Sequence, residues 1–395
     1  MTDIEVGTAV QQVAEEPAEP QEQRVTPLEL FLDLVFVLAI TQVTGYVSHD
    51  PTWSRLVEGL AILAVAWWVW SAYAWLGNTA GSDEGIARVV LLAAAAGMLV
   101  ASLSVPHAFG SDGLLFGIAI LVVRTTHLVA YSLLARLRGD PDLVQVVLGL
   151  AQSILPASIL LVIAGTQDGA AQALLWAAAL LVDYGGLALR GTRGWTVQPG
   201  HFAERHGLII IIALGESVVS LGVASSGIHL TAGVVAAALF GITVVGAMWW
   251  AYFDVVAIVA ERRLRAAEPH ARVLMARDSY TYMHLPMVAG IIVFAVGVKL
   301  TLEDPSAQLE AVPAAALCGG LALYFFTLSA FKRRNIGSFN YPRLVATAIL
   351  VALTPLATSA AALLSLGLVM LVSIGLIAYE VTRYAEARDR IRHAA

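Results

Sequence analysis

Residues 143–164, LVQVVLGLAQSILPASILLVIA, run for 22 positions without a charged side chain. As an α-helix rising 1.5 Å per residue, such a run crosses the ~30 Å hydrocarbon core of a bilayer. It has companions throughout the chain. Apolar runs of the same kind fall at about 28–47, 56–78, 87–105, 113–135, 170–189, 207–224, 231–258, 279–299, 311–331, 344–358 and 361–379. The whole is 58% hydrophobic and 13% charged, with a mean hydropathy of +0.78, a composition foreign to water-soluble domains of 395 residues. A spanning segment must satisfy its own backbone polar groups, so the choice lies between helices and a closed barrel. The runs are long, continuous and rich in Ala and Leu rather than short and alternating, which selects helices. The expected fold is an all-α polytopic membrane protein of about twelve transmembrane helices.

Basic residues segregate along these spans. Twenty of the 23 Lys and Arg fall in connections on one side, two (Arg55 and Lys299) on the other, and Arg124 lies within a span. The positive-inside rule then places both termini in the cytoplasm of a cell whose plasma (inner) membrane holds the chain. Residues 1–23 are acidic, carry Pro17 and Pro20 and lack an apolar period, so they read as a disordered tail. They have no basic segment followed by an apolar one, so the first span serves as its own insertion signal. Cys318 is the single cysteine, which excludes a disulfide framework and a multi-Cys metal site. No basic patch interleaved with aromatics stands apart from the membrane edge, so nucleic acid is not an expected partner. No Walker A loop is present, which excludes the simplest primary pump.

The two halves share an ordered set of weak matches. Ala39–Gln42 corresponds to Ala213–Glu216, Trp70–Tyr73 to Trp249–Tyr252, Arg88 to Arg277 and Pro156 to Pro355, at offsets growing from 174 to 199. Six spans per half would give both halves the same direction, hence a parallel repeat about an axis along the membrane normal. The expected division is a tail at 1–23, a first six-helix unit at 24–190, a cytoplasmic linker at 191–206, a second unit at 207–380 and a basic tail at 381–395. The alternative is two unrelated apolar halves.

Ionisable groups at membrane depth are costly and normally face a protein partner or a wet cavity. Glu29 and Asp33 share one face of the first span at i, i+4. Gln42 lies about nine residues deeper. Arg124 and His127 share the middle of the fourth span, and Glu216 lies near the middle of the seventh. Arg124 keeps its charge and needs a carboxylate; depth points to Glu216 first and Asp33 second. This set, Glu29, Asp33, Gln42, Arg124, His127 and Glu216, is the expected substrate or ion pathway. The plainer reading is that Glu29 and Asp33 complement the positive end of their helix behind Pro27, and that the rest lock helix packing. His201, Glu204 and Arg205, just before the seventh span, read as a cytoplasmic gate or as an interfacial turn. His-x-x-Glu lacks the two-His spacing of a zinc helix, so no metal and no cofactor is expected. Trp67, Trp68, Trp70, Tyr73 and Trp75 exceed an interfacial belt and line either packing or a cavity.

The stretches RVTPLELFLDLVFV (24–37) and HFAERHGLIIIIALGES (201–217) resemble the two signatures of the bacterial low temperature requirement A family. The resemblance covers about 24–385. Its one small departure is Leu32, where a second Phe is commoner. It implies a bacterial polytopic membrane protein connected by name with growth in the cold, and it carries Glu29, Asp33, Glu204, Arg205 and Glu216 as functional candidates. It brings no reaction with it. Three classes therefore remain: a secondary transporter or ion-coupled permease, favoured by span number, repeat and midplane charge; an intramembrane enzyme on a lipid or isoprenoid; and a cold-adaptation sensor or structural protein. The sequence names no substrate and no oligomeric state.

Overall fold

The structure is a computed structural model that describes residues 25–80, 85–189, 194–225 and 229–393. The acidic tail, Arg24, Arg190 and Arg193 lie outside the described residues.

Helices account for nearly all of it. They are α1 (Pro27–His49), α2 (Trp53–Ala80), α3 (Gly85–Ser104), α4 (Gly113–Arg138), α5 (Pro141–Ala164), α6 (Gly169–Leu189), α7 (Pro199–Ser225) and α8 (Ala232–Phe253). Then come α9 (Val256–Ala266), α10 (Pro269–Met275), a π-helical turn (Ala276–Tyr282), α11 (Met283–Glu303), α12 (Ala311–Ile336), α13 (Tyr341–Ala357), α14 (Ala362–Arg383) and α15 (Ala385–His393). Among the described residues, ten helical segments are long and apolar enough to cross a membrane. Two of these are composite, Ala232–Ala266 and Pro269–Glu303, each of 35 residues. The chain is a multi-pass helical membrane protein.

Local sequence sets the turns. α1 starts on a capping box: Thr26 Oγ1 accepts from the Glu29 amide at 3.4 Å, and the Glu29 carboxylate accepts from the Thr26 amide at 2.9 Å. Pro27 occupies the first helical position, where a missing N–H costs nothing. α4 ends at Gly139 in the left-handed region (φ 60°), and α5 begins one residue later with Asp140 accepting from two amides ahead of it and Pro141 in its first turn. The α12–α13 turn uses the same grammar: Gly337 at φ 88°, then Asn340 as cap and Pro342 in the first turn.

Two expected boundaries differ. Residues 199–206, expected in a linker, form the first two turns of α7, because Pro199 starts the helix and His201–Gly207 continues it without a break. The expected 259–278 loop is also helical. Its charges follow a helical period, with Ala260 and Leu264 buried on one side and Arg262, Arg263 and Arg265 outside the core.

The core lies around α2, α11 and α12, whereas α5, α6 and α14 are peripheral. On the periphery Leu174 and Leu181 are more than 70% exposed, which lipid tolerates and water does not. α11 and α12 approach closely through glycine: a Cβ built on Gly320 would lie 2.4 Å from the Phe294 nitrogen, and one on Gly290 2.7 Å from the Gly320 carbonyl. Membrane helices use small residues in this way because apolar burial alone gives no drive to associate in lipid. The π turn is explained by Pro286. It has no N–H for the Tyr282 carbonyl four residues back, and its ring crowds that carbonyl, so the helix widens just before it.

The helix pairings run in series. α1 packs on α2 and α3, α3 on α4, α4 on α5, α5 on α6, and α2 on α4 and α6. Further along, α7 packs on α8 and α11, α11 on α12, α12 on α13, α13 on α14, α9 on α12 and α8 on α14. The two sets are joined where α1 meets α7 and α11, and where α2 meets α7 and α11.

Candidate functional site

The junction of α1 and α7 holds a ladder of buried polar pairs. At its first rung, His201 Nε2 lies 3.2 Å from both Glu29 carboxylate oxygens. A carboxylate accepts, so Nε2 carries the proton and donates. Glu29 thus caps α1 and binds α7 at once. Gly77 on α2 leaves the room: a Cβ there would sit 2.2 Å from Glu29 Oε1. At the second rung, one turn deeper, Arg205 donates to Asp33 as a two-pronged fork, Nη1 to Oδ2 and Nη2 to Oδ1, both at 2.9 Å. Trp70 Nε1 donates to the same Oδ1 at 2.8 Å, and the guanidinium lies 5.6 Å from the Trp70 ring centre. Asp33 and Arg205 are 1% and 0% exposed, so the charges have no recourse to water. At the third rung the Glu216 carboxylate accepts from Thr41 Oγ1 across the seam and from Ser220 Oγ at 2.7 Å.

The partners at these rungs differ by 172, 172 and 175 residues. A near-constant offset requires α1 and α7 to run side by side in the same direction. The i, i+4 spacing of Glu29 and Asp33 meets the i, i+4 spacing of His201 and Arg205, so an acidic face of α1 meets a face of α7 that carries a donating imidazole and a guanidinium.

Beside the second rung, against Trp70, lies an aromatic cluster around two more histidines. His206 Nδ1 donates to the Phe202 carbonyl at 2.8 Å, leaving Nε2 bare and, among the described residues, without a partner. His284 Nδ1 donates to the Ser279 carbonyl at 3.0 Å, so its Nε2 accepts from Tyr252 Oη at 2.8 Å. The two imidazoles stand edge to face, 5.1 Å between centres.

Arg124 is not paired with Glu216 or with Asp33. Its Nη1 lies 2.6 Å from Asp183 Oδ2, joining α4 to α6, both groups almost wholly buried. The pairing is local to the first helices of the chain, where α4 and α6 flank α5, whereas Glu216 is satisfied by hydroxyls instead. Gln42 is half-buried, and its neighbour Thr41 makes the contact with Glu216. His127 is buried on α4, with Nε2 donating to the Ala72 carbonyl at 3.0 Å. Glu204 is exposed beside its buried neighbours and accepts from the Val25 amide at 3.3 Å. Of the sequence-derived set, the structure brings together Glu29, Asp33, His201, Arg205 and Glu216 on one seam, sets Arg124 and His127 apart in a cavity wall, and leaves Gln42 and Glu204 at the margins.

Sequence reasoning missed Trp70 as a third ligand of Asp33, Asp183 as partner of Arg124, the buried acid Glu380, and the arginines that meet Asp254. Glu380 takes a two-pronged bond from Arg343 at 2.9 Å, and Asp254 meets Arg388 at 2.5 Å and also Arg392. No group of three His, Cys, Asp or Glu able to hold a metal occurs among the described residues. The seam thus sets a carboxylate–imidazole pair one helical turn from a carboxylate–guanidinium fork.

These features belong to a polytopic membrane protein with charge buried between two helix sets. The sequence profile of the bacterial low temperature requirement A protein (LtrA) family matches residues 24–378, and the chain belongs to that family. It is 28% identical over 334 residues to an uncharacterized protein of Rhizobium meliloti (strain 1021), across 82% of this chain and 81% of that protein. No solved structure matches it.

Proposed function

We propose that this LtrA-family protein is a secondary transporter, an ion-coupled permease in which the α1–α7 seam is the coupling element. The observation that carries this reading is the buried Asp33–Arg205 fork with the Glu29–His201 pair one turn away. Each acid sits on one helix set and its partner on the other. Protonating Asp33 removes one charge of a desolvated pair and weakens the hold between the sets, so proton occupancy and their relative position are linked. A pair that only locked packing could equally join helices within one set, as Arg124–Asp183 and Arg343–Glu380 do.

In this reading the bundle is two parallel six-helix repeats, 24–190 and 207–380, joined by a linker that the start of α7 shortens. Three things support the repeat. Six of the seven helix pairings of the first set recur between corresponding helices of the second, and the counterpart of α2–α4 is made by α9, the continuation of α8. The fourth-to-fifth turn is built alike in both. The rungs of the seam keep one direction. An axis along the membrane normal passes beside α1 and α7, the location at which parallel-repeat carriers place their substrate path. Both termini are then cytoplasmic, in the bacterial plasma membrane, and Glu29–His201 stands at the cytoplasmic mouth with Glu216 deeper.

The test is uptake into proteoliposomes, screened over inorganic ions and small metabolites with and without an imposed pH gradient. Gradient-driven uptake above empty liposomes is expected. Inert liposomes whose lipids are chemically altered by the protein would instead favour an enzyme.

A further inference from the structure

A second site lies away from the seam, inside the first helix set. Helices α2, α4, α5 and α6, the segment before α7 and the π turn enclose a cavity whose walls are Trp68, Tyr73, Trp75 and Trp195, with Arg124 and His127 on one side. Its lining is mostly apolar; besides these two, Ser71, Ser153, Thr281 and Arg277, the last already bonded to Asp278, reach it. About 60 Å³ is open to the centres of water-sized molecules. At ~10–15 Å³ per water that is room for about four to six waters, comparable with one substituted benzene ring.

The polar groups on the wall are incompletely used. His127 Nε2 faces the Ala72 carbonyl, which only accepts, so Nε2 holds the ring proton and Nδ1 is a bare acceptor. That Nδ1 is buried and has no hydrogen-bond partner among the described residues. Arg124 Nη1 touches Asp183, while Nη2 is buried and likewise without a hydrogen-bond partner. The two residues are 3% and 2% exposed, and they stand at i, i+3 on one helix face. Native interiors rarely leave such groups unmade, and here a donor and an acceptor stand side by side against aromatic walls. The wall indole Trp75 spends its N–H on the Thr281 hydroxyl of the π turn, so what it offers the cavity is ring surface.

We propose that this cavity binds a small flat aromatic molecule bearing one hydroxyl, of the phenol class. The hydroxyl donates to His127 Nδ1 and accepts from Arg124 Nη2, and the ring lies among Trp68, Tyr73, Trp75 and Trp195. A carboxylate fits less well: it has no proton for Nδ1, and the Arg124 charge is already met by Asp183. The site does not depend on transport, since binding is read without a gradient, and its failure leaves the flux screen to decide that reading separately.

The test uses the full chain in lipid nanodiscs and follows tryptophan fluorescence during titration with phenol, anisole, toluene and benzoate. Saturable quenching is expected, with phenol at least about tenfold tighter than anisole, which accepts but cannot donate. In His127→Phe the preference of phenol over anisole should vanish. If that variant does not fold, the unmodified protein's ranking decides alone. Equal binding of phenol and anisole, benzoate as the tightest ligand, or no saturable response to any of the four overturns the proposal.

Discussion

Replacing Asp33 with Asn removes the charge met by three buried donors, Arg205 Nη1, Arg205 Nη2 and Trp70 Nε1, at 2.8–2.9 Å, and turns one of the two accepting oxygens into a donating NH2. It also leaves Arg205 charged in a site where it is 0% exposed. Breaking one side of a buried ion pair costs about 3–5 kcal/mol. Unfolding entropy of ~2.1 cal/mol/K per residue gives about 0.8 kcal/mol/K for a chain of 395 residues, so the melting temperature should fall by about 4–6 °C. Arg205→Gln should cost a similar amount, since it strands Asp33. The double variant Asp33→Asn/Arg205→Gln strands no charge and places two amides within reach of each other. Its loss should be smaller than either single loss, with a coupling energy above about 2 kcal/mol. The assay is thermal unfolding in detergent, followed by tryptophan fluorescence and by the monodisperse fraction after heating. If the single losses add within about 0.5 kcal/mol, the two side chains are energetically independent and the seam is not what joins the helix sets.

Other substitutions test neighbouring parts. Gly77→Ala drives a Cβ to 2.2 Å from Oε1 of a Glu29 carboxylate whose other oxygen is held by Thr26 and His201, so it should destabilise by about 1–3 kcal/mol, a loss that Glu29→Ala in the same chain relieves. Arg124→Gln and Asp183→Asn should each destabilise strongly and the pair of changes much less; Glu216→Gln combined with Arg124→Gln should show no such rescue, because the two do not meet. Glu216→Gln should impair uptake more than Glu204→Gln, measured side by side in liposomes, since Glu216 is buried on the seam and Glu204 is exposed. Cysteine at Asp304 should react with an impermeant reagent added outside intact cells, and cysteine at Glu268 should not; the reverse pattern inverts the orientation.

Much of the membrane architecture was legible because lipid imposes one rule on every span. A run such as 143–164 has no soluble alternative, and the segregation of Lys and Arg orders the runs relative to one another. Boundaries near charge were harder to read. Residues 199–206 and 256–275 hold enough Arg, His and Glu to look like connections, yet their charges fall on one face or find buried partners, and hydropathy averages over a window cannot see a face. The seam was half legible: Glu29 and Asp33 at i, i+4 announce a shared face, and His201 and Arg205 do the same, but nothing in either stretch says that these two faces meet. Pairing across some 170 residues is a property of packing. For Arg124 depth alone was a poor guide, because only the helix arrangement brings Asp183 of α6 within reach of it. Asp183, near the end of its span, reads as an interfacial charge until that neighbour is known. The tryptophans of α2 were read as packing or cavity lining, and they serve both, Trp70 on Asp33 and Trp68 and Trp75 around the cavity.

The most direct test of the central claim is gradient-driven uptake by the double variant Asp33→Asn/Arg205→Gln in proteoliposomes, with its folding verified by its melting curve. The account predicts a folded protein that no longer couples a pH gradient to uptake of the substrate carried by the unmodified chain. Full gradient-driven uptake by the double variant would contradict it, and would reduce the α1–α7 ladder to a device for helix packing.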